Sequence, residues 1–309
     1  MAVATSDSLR TRFRGLPEHR QGILAVTGAA VLFSSGGLFI KWVSLDALGL
    51  TMWRSLIAGV TIALITGLRP PKPWRAGWLE WALAISYALT LVLFVVATKL
   101  TTAANAIFLQ FTAPIWVLLA GRFVLAERPS RTDVICIAVA FTGMALFFVG
   151  KLEVRDTAGN VSALASGVCF ASFLILLRRP ECRTETRPRS MMLGNALLVV
   201  TLLVVNAARL SGDSFTPSAR DIGGLLFLGV LQIGLAYVLF GYGIARIPAL
   251  EVSLIGMLEP VLNPVWVFAV LGETPGWWAV LGGAIIVAAV GARTVVSERR
   301  RGMVTRVEG

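Results

Sequence analysis

The residues of this sequence that can do chemistry are polar side chains placed inside long apolar runs. A polar group is costly in apolar surroundings, so it usually faces a cavity or a partner helix. Glu259 is the clearest case, because it lies midway along the run EVSLIGMLEPVLNPVWVFAVL. Burial disfavours the charged form of a carboxyl group, so Glu259 can take up and release a proton as its surroundings change. The alternative is structural, since Pro260 removes a backbone donor and a protonated Glu259 can bond the freed carbonyl of Gly256.

A second group of candidates combines amides, hydroxyl groups and aromatic rings. Asn105, Phe108 and Thr112 follow helical spacing and share one face, where they can hold a zwitterion with an apolar side chain. Gln110 is predicted to point elsewhere. Packing is the alternative, because Asn105 can bond a neighbouring helix and the Thr112 hydroxyl can bond the carbonyl of Phe108. The other candidates for a binding cavity also lie within apolar runs: Tyr87, Phe94, Gln232, Tyr237 and Gly256.

Other kinds of site are excluded by the rarer residue types. The single histidine, His19, lies in the polar N-terminal segment and is predicted to be solvated. The three cysteines, Cys136, Cys169 and Cys182, have the spacing of neither a metal site nor a disulfide framework. The sequence contains no phosphate-binding loop of the form GxxxxGK[ST]. We therefore expect no cofactor, no metal and no catalytic residue, and the chain is predicted not to be an enzyme.

Two of the candidates, Asn105 and Gly256, lie in two runs that resemble each other. Residues 105–129 read NAIFLQFTAPIWVLLAGRFVLAERP, and residues 251–275 read EVSLIGMLEPVLNPVWVFAVLGETP. A shift of 146 positions aligns Pro114 with Pro260. The same shift aligns Glu127 with Glu273 and Pro129 with Pro275, at the C-terminal ends of the two runs. These matches predict an internal duplication with two related halves. Glu259 aligns with Ala113, so the duplication does not require its carboxyl group.

The composition indicates that both halves lie in a membrane. Of the 309 residues, 56% are hydrophobic and 15% are charged, and the mean hydropathy is +0.79. Soluble domains contain roughly 45–50% apolar residues, and apolar runs of about 20 residues can span a bilayer as helices. The sequence predicts an all-α integral membrane protein with ten transmembrane helices, at residues 21–43, 48–67, 76–98, 101–125, 131–150, 159–178, 188–210, 219–244, 248–271 and 276–296.

The basic residues lie mostly on one side of this predicted topology. With the N-terminus inside, 21 of the 28 Lys and Arg residues fall in inside segments, six fall outside, and Arg54 falls within a span. This asymmetry follows the positive-inside rule and predicts that both termini are cytoplasmic. The net charge of +11 therefore reflects topology and not nucleic-acid binding. Arg54 lies little more than one turn into its span, so we expect it to reach outward to the interface in a structural role.

Five spans in each half is an odd number, so the second half is predicted to cross the membrane in the opposite sense. Inverted repeats of this kind are common in secondary transporters, where the substrate site lies near the midplane between the repeats. Pro114 and Pro260 mark where the fourth and ninth spans can bend, either as hinges of a gate or as fixed kinks. The predicted order is a cytoplasmic tail, a first repeat, an external connection, a second repeat and a basic cytoplasmic tail, at residues 1–20, 21–150, 151–158, 159–296 and 297–309.

The same runs carry a resemblance to a known family. TTAANAIFLQFTAPIWVLL and GRFVLAERP in the first half, with SLIGMLEPVLNPVWVFAVLGETP in the second, resemble the EamA-type ten-helix members of the drug/metabolite transporter (DMT) superfamily. Arg54, in MWRSLIAG, fits the arginine usual near that position. The resemblance covers residues 21 to about 296 and is greatest to the YddG-type amino-acid exporters. It implies efflux through a central cavity lined by helices three, four, eight and nine, with contributions from one and six.

We therefore expect a secondary active transporter that exports small metabolites, foremost aromatic and other neutral amino acids. Export of drugs or other amphipathic metabolites, and passive facilitation, are the alternatives. The expected location is the bacterial inner (plasma) membrane, as a multi-pass protein with both termini cytoplasmic. The expected partners are a small-molecule substrate and the lipid bilayer, without nucleic acid. A monomer can work alone, because one chain holds all ten spans.

Overall fold

The computed structural model describes residues 15–69, 71–125, 129–150, 156–208, 216–271 and 276–307. All regular secondary structure in these ranges is helical. The helices form ten groups that match the predicted spans, and we number them spans 1 to 10. Their bounds are Glu18–Ser34 with Gly36–Trp42, Ala47–Thr66, Trp78–Leu100, Ala103–Gln110 with Ala113–Val124, Arg131–Phe147, Thr157–Leu177, Thr186–Ala208, Ala219–Ile244, Ala249–Gly256 with Leu258–Leu271, and Trp277–Val307.

Eight of the spans in the described ranges are long and apolar enough to cross a membrane. The other two are span 5, which has 17 residues, and span 9, which is divided into helices of 8 and 14 residues. The all-helical fold predicted from the composition is therefore confirmed. Span 10 continues to Val307, through most of the segment predicted as a basic tail. The aligned residues Glu127 and Glu273 lie outside the described ranges.

Capping residues mark the starts of spans 2 and 5 and the end of span 2. The Asp46 carboxylate accepts a hydrogen bond of 2.6 Å from the Gly49 amide at the start of span 2. Ser130 and Asp133 bond each other's backbone amides at the start of span 5. Span 2 ends at Gly67, whose φ of +66° is a left-handed conformation that glycine adopts without a Cβ clash. These caps satisfy backbone groups that have no partner within the helix.

Spans 4 and 9 are interrupted at positions that the duplication makes equivalent. Span 4 is interrupted at Phe111 and span 9 at Met257, which are 146 positions apart, as are Pro114 and Pro260. Each interruption lies three residues before its proline. Proline has no backbone N–H, so it cannot donate a hydrogen bond to a carbonyl on the other side of the break. Irregular backbone at membrane depth is tolerated where it is buried in protein or lines a cavity. The paired breaks therefore point to a cavity between spans 4 and 9.

Two further irregular segments lie in spans 1 and 8. Span 1 is interrupted at Ser35, and the indole Nε1 of Trp266 in span 9 donates a bond of 2.7 Å to the Ser34 hydroxyl beside this break. Span 8 contains a π-helical segment at Phe227–Leu235. Segments with this wider hydrogen-bonding pattern are rare and frequently lie at functional sites.

The two halves of the chain are interleaved. Span 1 packs most extensively on span 8, span 2 on spans 7 and 8, spans 3 and 4 on span 6, and span 5 on span 10. Polar contacts also cross between the halves, such as the 2.8 Å bond from the Gln110 amide to the Ser166 hydroxyl. Each of the first five spans therefore has its main partner in the second half.

Spans 5 and 10 approach each other closely through two glycines. A Cβ atom built on Gly143 would lie 2.8 Å from the carbonyl oxygen of Gly282. One built on Gly282 would overlap the backbone of Gly143 and Phe147. Small residues let membrane helices pack backbone against backbone, so this contact joins the last span of each half.

Candidate functional site

Seven spans enclose a cavity, the central cavity, at the level of the interrupted helices. Its volume is about 40 Å³, which is room for about three water molecules. Spans 3, 4, 8, 9, 1 and 6, which the resemblance implied, all contribute, and span 2 contributes as well. The lining consists of Phe33, Arg54, Thr90, Leu91, Phe94, Gln110, Phe111, Phe170, Gln232, Ile233, Tyr237 and Glu259.

Arg54 lies at the wall of this cavity. The prediction that it reaches outward to the interface is wrong, because its side chain is only 1% exposed. Span 8 covers it closely, since Gly229 leaves space beside the carbonyl oxygen of Arg54. The Nε and Nη2 atoms are buried and have no hydrogen-bond partner among the described residues. A buried guanidinium group is costly without an anion, so Arg54 is a strong candidate for binding one.

Glu259 and Gln232 supply oxygen atoms to the same cavity. Glu259 is among the described lining residues, and the bond from a protonated Glu259 to the Gly256 carbonyl, which is the structural alternative, stays a prediction. The helix is interrupted at Met257, and the amide of Met257 donates a hydrogen bond to the carbonyl of Leu254. Gln232, in the π-helical segment, keeps its Oε1 buried without a described hydrogen-bond partner. A cation, two amides and a carboxyl group therefore share one small cavity with aromatic rings.

Tyr237 forms one wall of the cavity, and Tyr87 lies behind it. The Tyr237 ring centroid is 4.7 Å from that of Tyr87 and 4.8 Å from that of Phe33, both in edge-to-face contact. The Tyr87 hydroxyl accepts a bond of 3.0 Å from the Asn195 amide in span 7. Of the two predicted tyrosines, only Tyr237 is among the described residues that line the central cavity.

The predicted face of span 4 is not the one that meets the cavity. Asn105 bonds the side-chain oxygen of Asn160 in span 6 at 2.9 Å, and Phe108 packs edge to face on Phe148 of span 5. The Thr112 hydroxyl bonds the carbonyl of Leu109, where the prediction had Phe108. None of these three predicted side chains is among the described lining residues, whereas Gln110 is. Asn105, Phe108 and Gln110 all lie in the helix Ala103–Gln110, before the break, and the side of this helix that carries Gln110 meets the cavity.

The remaining predicted residues lie at or near the cavity. Four of them line it: Phe94 from span 3, Gln232 and Tyr237 from span 8, and Glu259 from span 9. Gly256 lies beside it, because a Cβ atom built there would be 3.7 Å from the ring of Phe111. Pro114 and Pro260 lie in the first turn of the second helices of spans 4 and 9. Their placement agrees with the predicted bends, and whether they act as hinges stays a prediction.

A separate polar cluster lies at one end of the bundle. His19 Nε2 is 3.2 Å from Glu251 Oε2, and the Ser297 hydroxyl is 3.3 Å from the same oxygen. Arg293 approaches Glu251 at 4.0 Å and forms an ion pair with Asp133. The cluster ties spans 1, 5, 9 and 10 together. The prediction that His19 is solvated is wrong, because span 1 begins earlier than the apolar run and carries His19 into the bundle, where it meets the buried Glu251.

Comparison with known proteins gives one consistent answer. The chain matches the EamA-like transporter family twice, over residues 20–149 and 157–292. It is 26% identical to an uncharacterised transporter of Archaeoglobus fulgidus over 87% of this chain and 94% of that protein. It is 27% identical to a probable terminal-alkyne amino-acid exporter of Streptantibioticus cattleyicolor over 78% of this chain and 82% of that protein.

Two further comparisons extend this result. The threonine/homoserine exporter RhtA of Salmonella typhimurium is 26% identical, with 74% of this chain and 77% of that protein covered. A solved crystal structure superposes with a TM-score of 0.75 at 18% identity, over 90% of this chain and 98% of that one, which shows the shared fold. The two matched segments cover both halves, and the predicted ten-helix resemblance is confirmed. The chain belongs to the EamA-like transporter family of the DMT superfamily, and it is a multi-pass membrane transporter and not an enzyme.

Proposed function

We propose that this transporter exports neutral amino acids, foremost those with aromatic or other apolar side chains. The proposed mechanism is secondary transport by alternating access of the central cavity between two inverted repeats. The observation that carries the proposal is the buried Arg54 guanidinium, which has free donors and shares a small cavity with the Glu259 carboxyl group. The two relatives named as amino-acid exporters support the same substrate class and direction.

A zwitterion satisfies the groups of this cavity better than a neutral or cationic solute does. The planar guanidinium of Arg54 can donate two parallel bonds to a carboxylate. The Glu259 carboxylate can accept the α-ammonium group, and the Gln232 oxygen is a further acceptor. Both protein charges are then neutralised by the substrate, which offsets the cost of their burial. The phenylalanine rings of the lining, such as those of Phe94 and Phe170, are left to contact an apolar side chain.

The described conformation has its central cavity contracted. A volume of about 40 Å³ holds a few water molecules and no amino acid. The proposal therefore requires a second conformation in which the cavity widens, and the breaks at Phe111 and Met257 provide places where spans 4 and 9 can bend. We further propose a bacterial inner-membrane location, with both termini cytoplasmic and a functional monomer.

Counterflow in proteoliposomes tests the proposed substrate. Vesicles are loaded with unlabelled neutral amino acids, one mixture aromatic and one aliphatic, and the entry of labelled phenylalanine or leucine is followed without an ion gradient. Transient accumulation supports a carrier with an amino-acid site, and a steady leak identifies a passive facilitator. If vesicles that contain folded, inserted protein show no accumulation, the amino-acid substrate is excluded and drugs or other amphipathic solutes are the remaining substrate classes.

Replacing Glu259 by glutamine is expected to raise the counterflow KM for phenylalanine about tenfold, because a charge-assisted bond to the ammonium group is lost. The KM for 3-phenylpropionate, which lacks that group, should change much less. The matched control is Glu181→Gln, since Glu181 is exposed at the end of the bundle. An equal effect on both solutes would contradict the assignment. Loss of the pH dependence of net export with an unchanged KM would instead assign a coupling proton to Glu259.

Replacing Gly36 by alanine should disturb the cavity without unfolding the bundle. A Cβ atom there would lie 2.7 Å from Nε2 of Gln232, so this flexible amide must move. We expect counterflow of phenylalanine to fall about tenfold, the cost of one misplaced polar group. Gly28→Ala in the same span is the control, because its nearest atom would be 3.6 Å away. If both variants transport equally, the position of Gln232 does not matter for transport.

A further inference from the structure

A second and larger cavity lies at the end of the bundle where spans 7 and 8 meet the end of span 2. Its volume is about 280 Å³, several times that of the central cavity. We call it the arginine vestibule, and the residues that define it are Tyr237, Gly241, Tyr242, Met191, Arg187 and Arg246. Most of its wall is apolar, and the two arginines supply its charge.

The two arginines of the vestibule are held in place but not neutralised. Arg246 Nη1 donates a bond of 2.8 Å to the carbonyl of Tyr242, and Arg187 Nη2 donates one of 3.5 Å to the carbonyl of Leu177. The Nε atoms of both arginines are buried without a hydrogen-bond partner among the described residues. Carbonyl groups orient a guanidinium without cancelling its charge, so both charges stay available to an anion.

The surroundings strengthen the positive field. Arg178 lies close enough to repel Arg187, and it bonds the carbonyl of Ile244. The acidic residues of the connection between spans 6 and 7 pair with other arginines, Glu181 with Arg179 at 3.0 Å and Glu185 with Arg189 at 3.5 Å. The described lining of the vestibule contains no acidic residue. A cluster of like charges next to an apolar wall favours a bound anion.

The vestibule is shaped for a flat or extended solute. The guanidinium of Arg246 stacks on the ring of Tyr242, 3.5 Å above its centroid, which fixes the plane of the donor fork. Gly241 leaves the floor open, because a Cβ atom there would meet only Met191 at 3.4 Å and Arg187 at 3.9 Å. An apolar body can therefore lie along span 8 while its anionic group meets the arginines.

Tyr237 belongs to both cavities. It is among the described lining residues of the arginine vestibule and of the central cavity, which Arg54 also lines. The two cavities therefore meet at this residue of span 8. A solute that leaves the vestibule past Tyr237 reaches Arg54, whose Nε and Nη2 atoms have no described hydrogen-bond partner.

We propose that the arginine vestibule is a first binding site for the carboxylate of the transported solute, which then passes Tyr237 to reach Arg54. The identity of the solute as an amino acid rests on the proposed function, but binding of a carboxylate by Arg187 and Arg246 does not. The same chemistry would accept the phosphate of an anionic lipid headgroup, and the experiment separates these two sources.

Binding of labelled phenylacetate to the full chain in phosphatidylcholine nanodiscs tests the site directly. Phenylacetate carries a carboxylate on an apolar ring, and phenylacetamide is its neutral counterpart. We expect saturable binding of phenylacetate and none of phenylacetamide. In the Arg187→Gln/Arg246→Gln double variant, the affinity for phenylacetate should fall about tenfold, because two charge-assisted contacts are lost. Equal affinity of the double variant and the unaltered chain overturns the proposal. The control is Arg183→Gln, an exposed arginine of the same end that is outside the described lining.

A space-filling variant and a change of lipid test the site independently of the arginines. Gly241→Val keeps both arginines and fills the vestibule, so it must also weaken phenylacetate binding, and unchanged affinity would overturn the site even if the double variant misfolds. Nanodiscs that contain phosphatidylglycerol test the lipid headgroup. Unchanged phenylacetate binding there supports a solute site, whereas suppression to the level of the double variant assigns the vestibule to lipid and overturns the proposal.

Transport kinetics separate this inference from the proposed function. In vesicles of known orientation, the double variant should raise the KM for phenylalanine about tenfold from the arginine-rich face, with the KM from the opposite face unchanged. An unaltered chain that binds phenylacetate but carries no amino acid contradicts the proposed function alone. If the unaltered chain carries amino acids and the double variant has the same KM as the unaltered chain from both faces, this inference alone is contradicted.

Discussion

Replacing Arg54 by methionine is expected to reduce counterflow of phenylalanine about 100-fold, while the melting temperature of the protein rises or stays the same. Loss of one partner from a buried charge pair costs about 2–5 kcal/mol, most of it in the bound state. The empty protein should gain, because the guanidinium of Arg54 is 1% exposed and lacks partners for two of its nitrogen atoms. Methionine fills a similar volume without a charge, and such replacements are often neutral or stabilising. The two measurements are counterflow and thermal unfolding in detergent.

Lysine at the same position separates charge from shape. Arg54→Lys keeps a cation but loses the fork that matches a carboxylate, so its counterflow should lie between that of the unaltered chain and that of Arg54→Met. A clear fall in the melting temperature of Arg54→Met would show that the guanidinium supports the bundle. In that case the assignment of Arg54 to the substrate carboxylate would have to be withdrawn.

Replacing Gly282 by alanine is expected to destabilise the bundle strongly. The added Cβ atom would overlap the backbone of Gly143 and Phe147, which cannot rotate away as a side chain can. Spans 5 and 10 must therefore separate, and overpacking of this kind costs about 3 kcal/mol, near the upper end of its usual range. The measurement is the free energy of unfolding in mixed micelles, and counterflow should fall with the folded fraction.

Gly291→Ala on the same span is the matched control. No atom lies within 4 Å of a Cβ atom built there, so the change should be neutral or slightly stabilising, since alanine favours helix more than glycine does. Similar stabilities for the two variants would mean that spans 5 and 10 can slide apart freely. The close glycine contact would then have no energetic weight.

The scaffold could be predicted from the sequence because its causes are local. Apolar runs of the length of a bilayer can form only helices there, and this constraint predicts ten spans close to their described bounds, apart from the end of span 10, which continues to Val307. Pro114 and Pro260 also acted locally, since each removes one backbone donor and both spans break three residues earlier. The duplication made the second break predictable from the first.

The site could be predicted only in part, because its causes are not local. Gln110 lies in the same helix as Asn105 and Phe108, and the packing of neighbouring spans decides which side of that helix meets the cavity. The position of Arg54 in its span predicts a side chain that reaches the interface, but the packing of neighbouring spans buries it at the central cavity. The contact of His19 with Glu251 joins residues 232 positions apart, and no sequence period indicates such a pair.

The interleaving of the halves has a consequence for biogenesis. Membrane spans are released from the insertion machinery in chain order, yet each of the first five finds its main partner in the half that is made later. Until span 6 arrives, the amide of Asn105 lacks its bond to Asn160. Arg54 must meanwhile remain at a depth where a charge costs about 2.5–3.5 kcal/mol. A half-synthesised chain is thus an incompletely assembled membrane intermediate, open to chaperones and quality-control proteases until its second half is inserted.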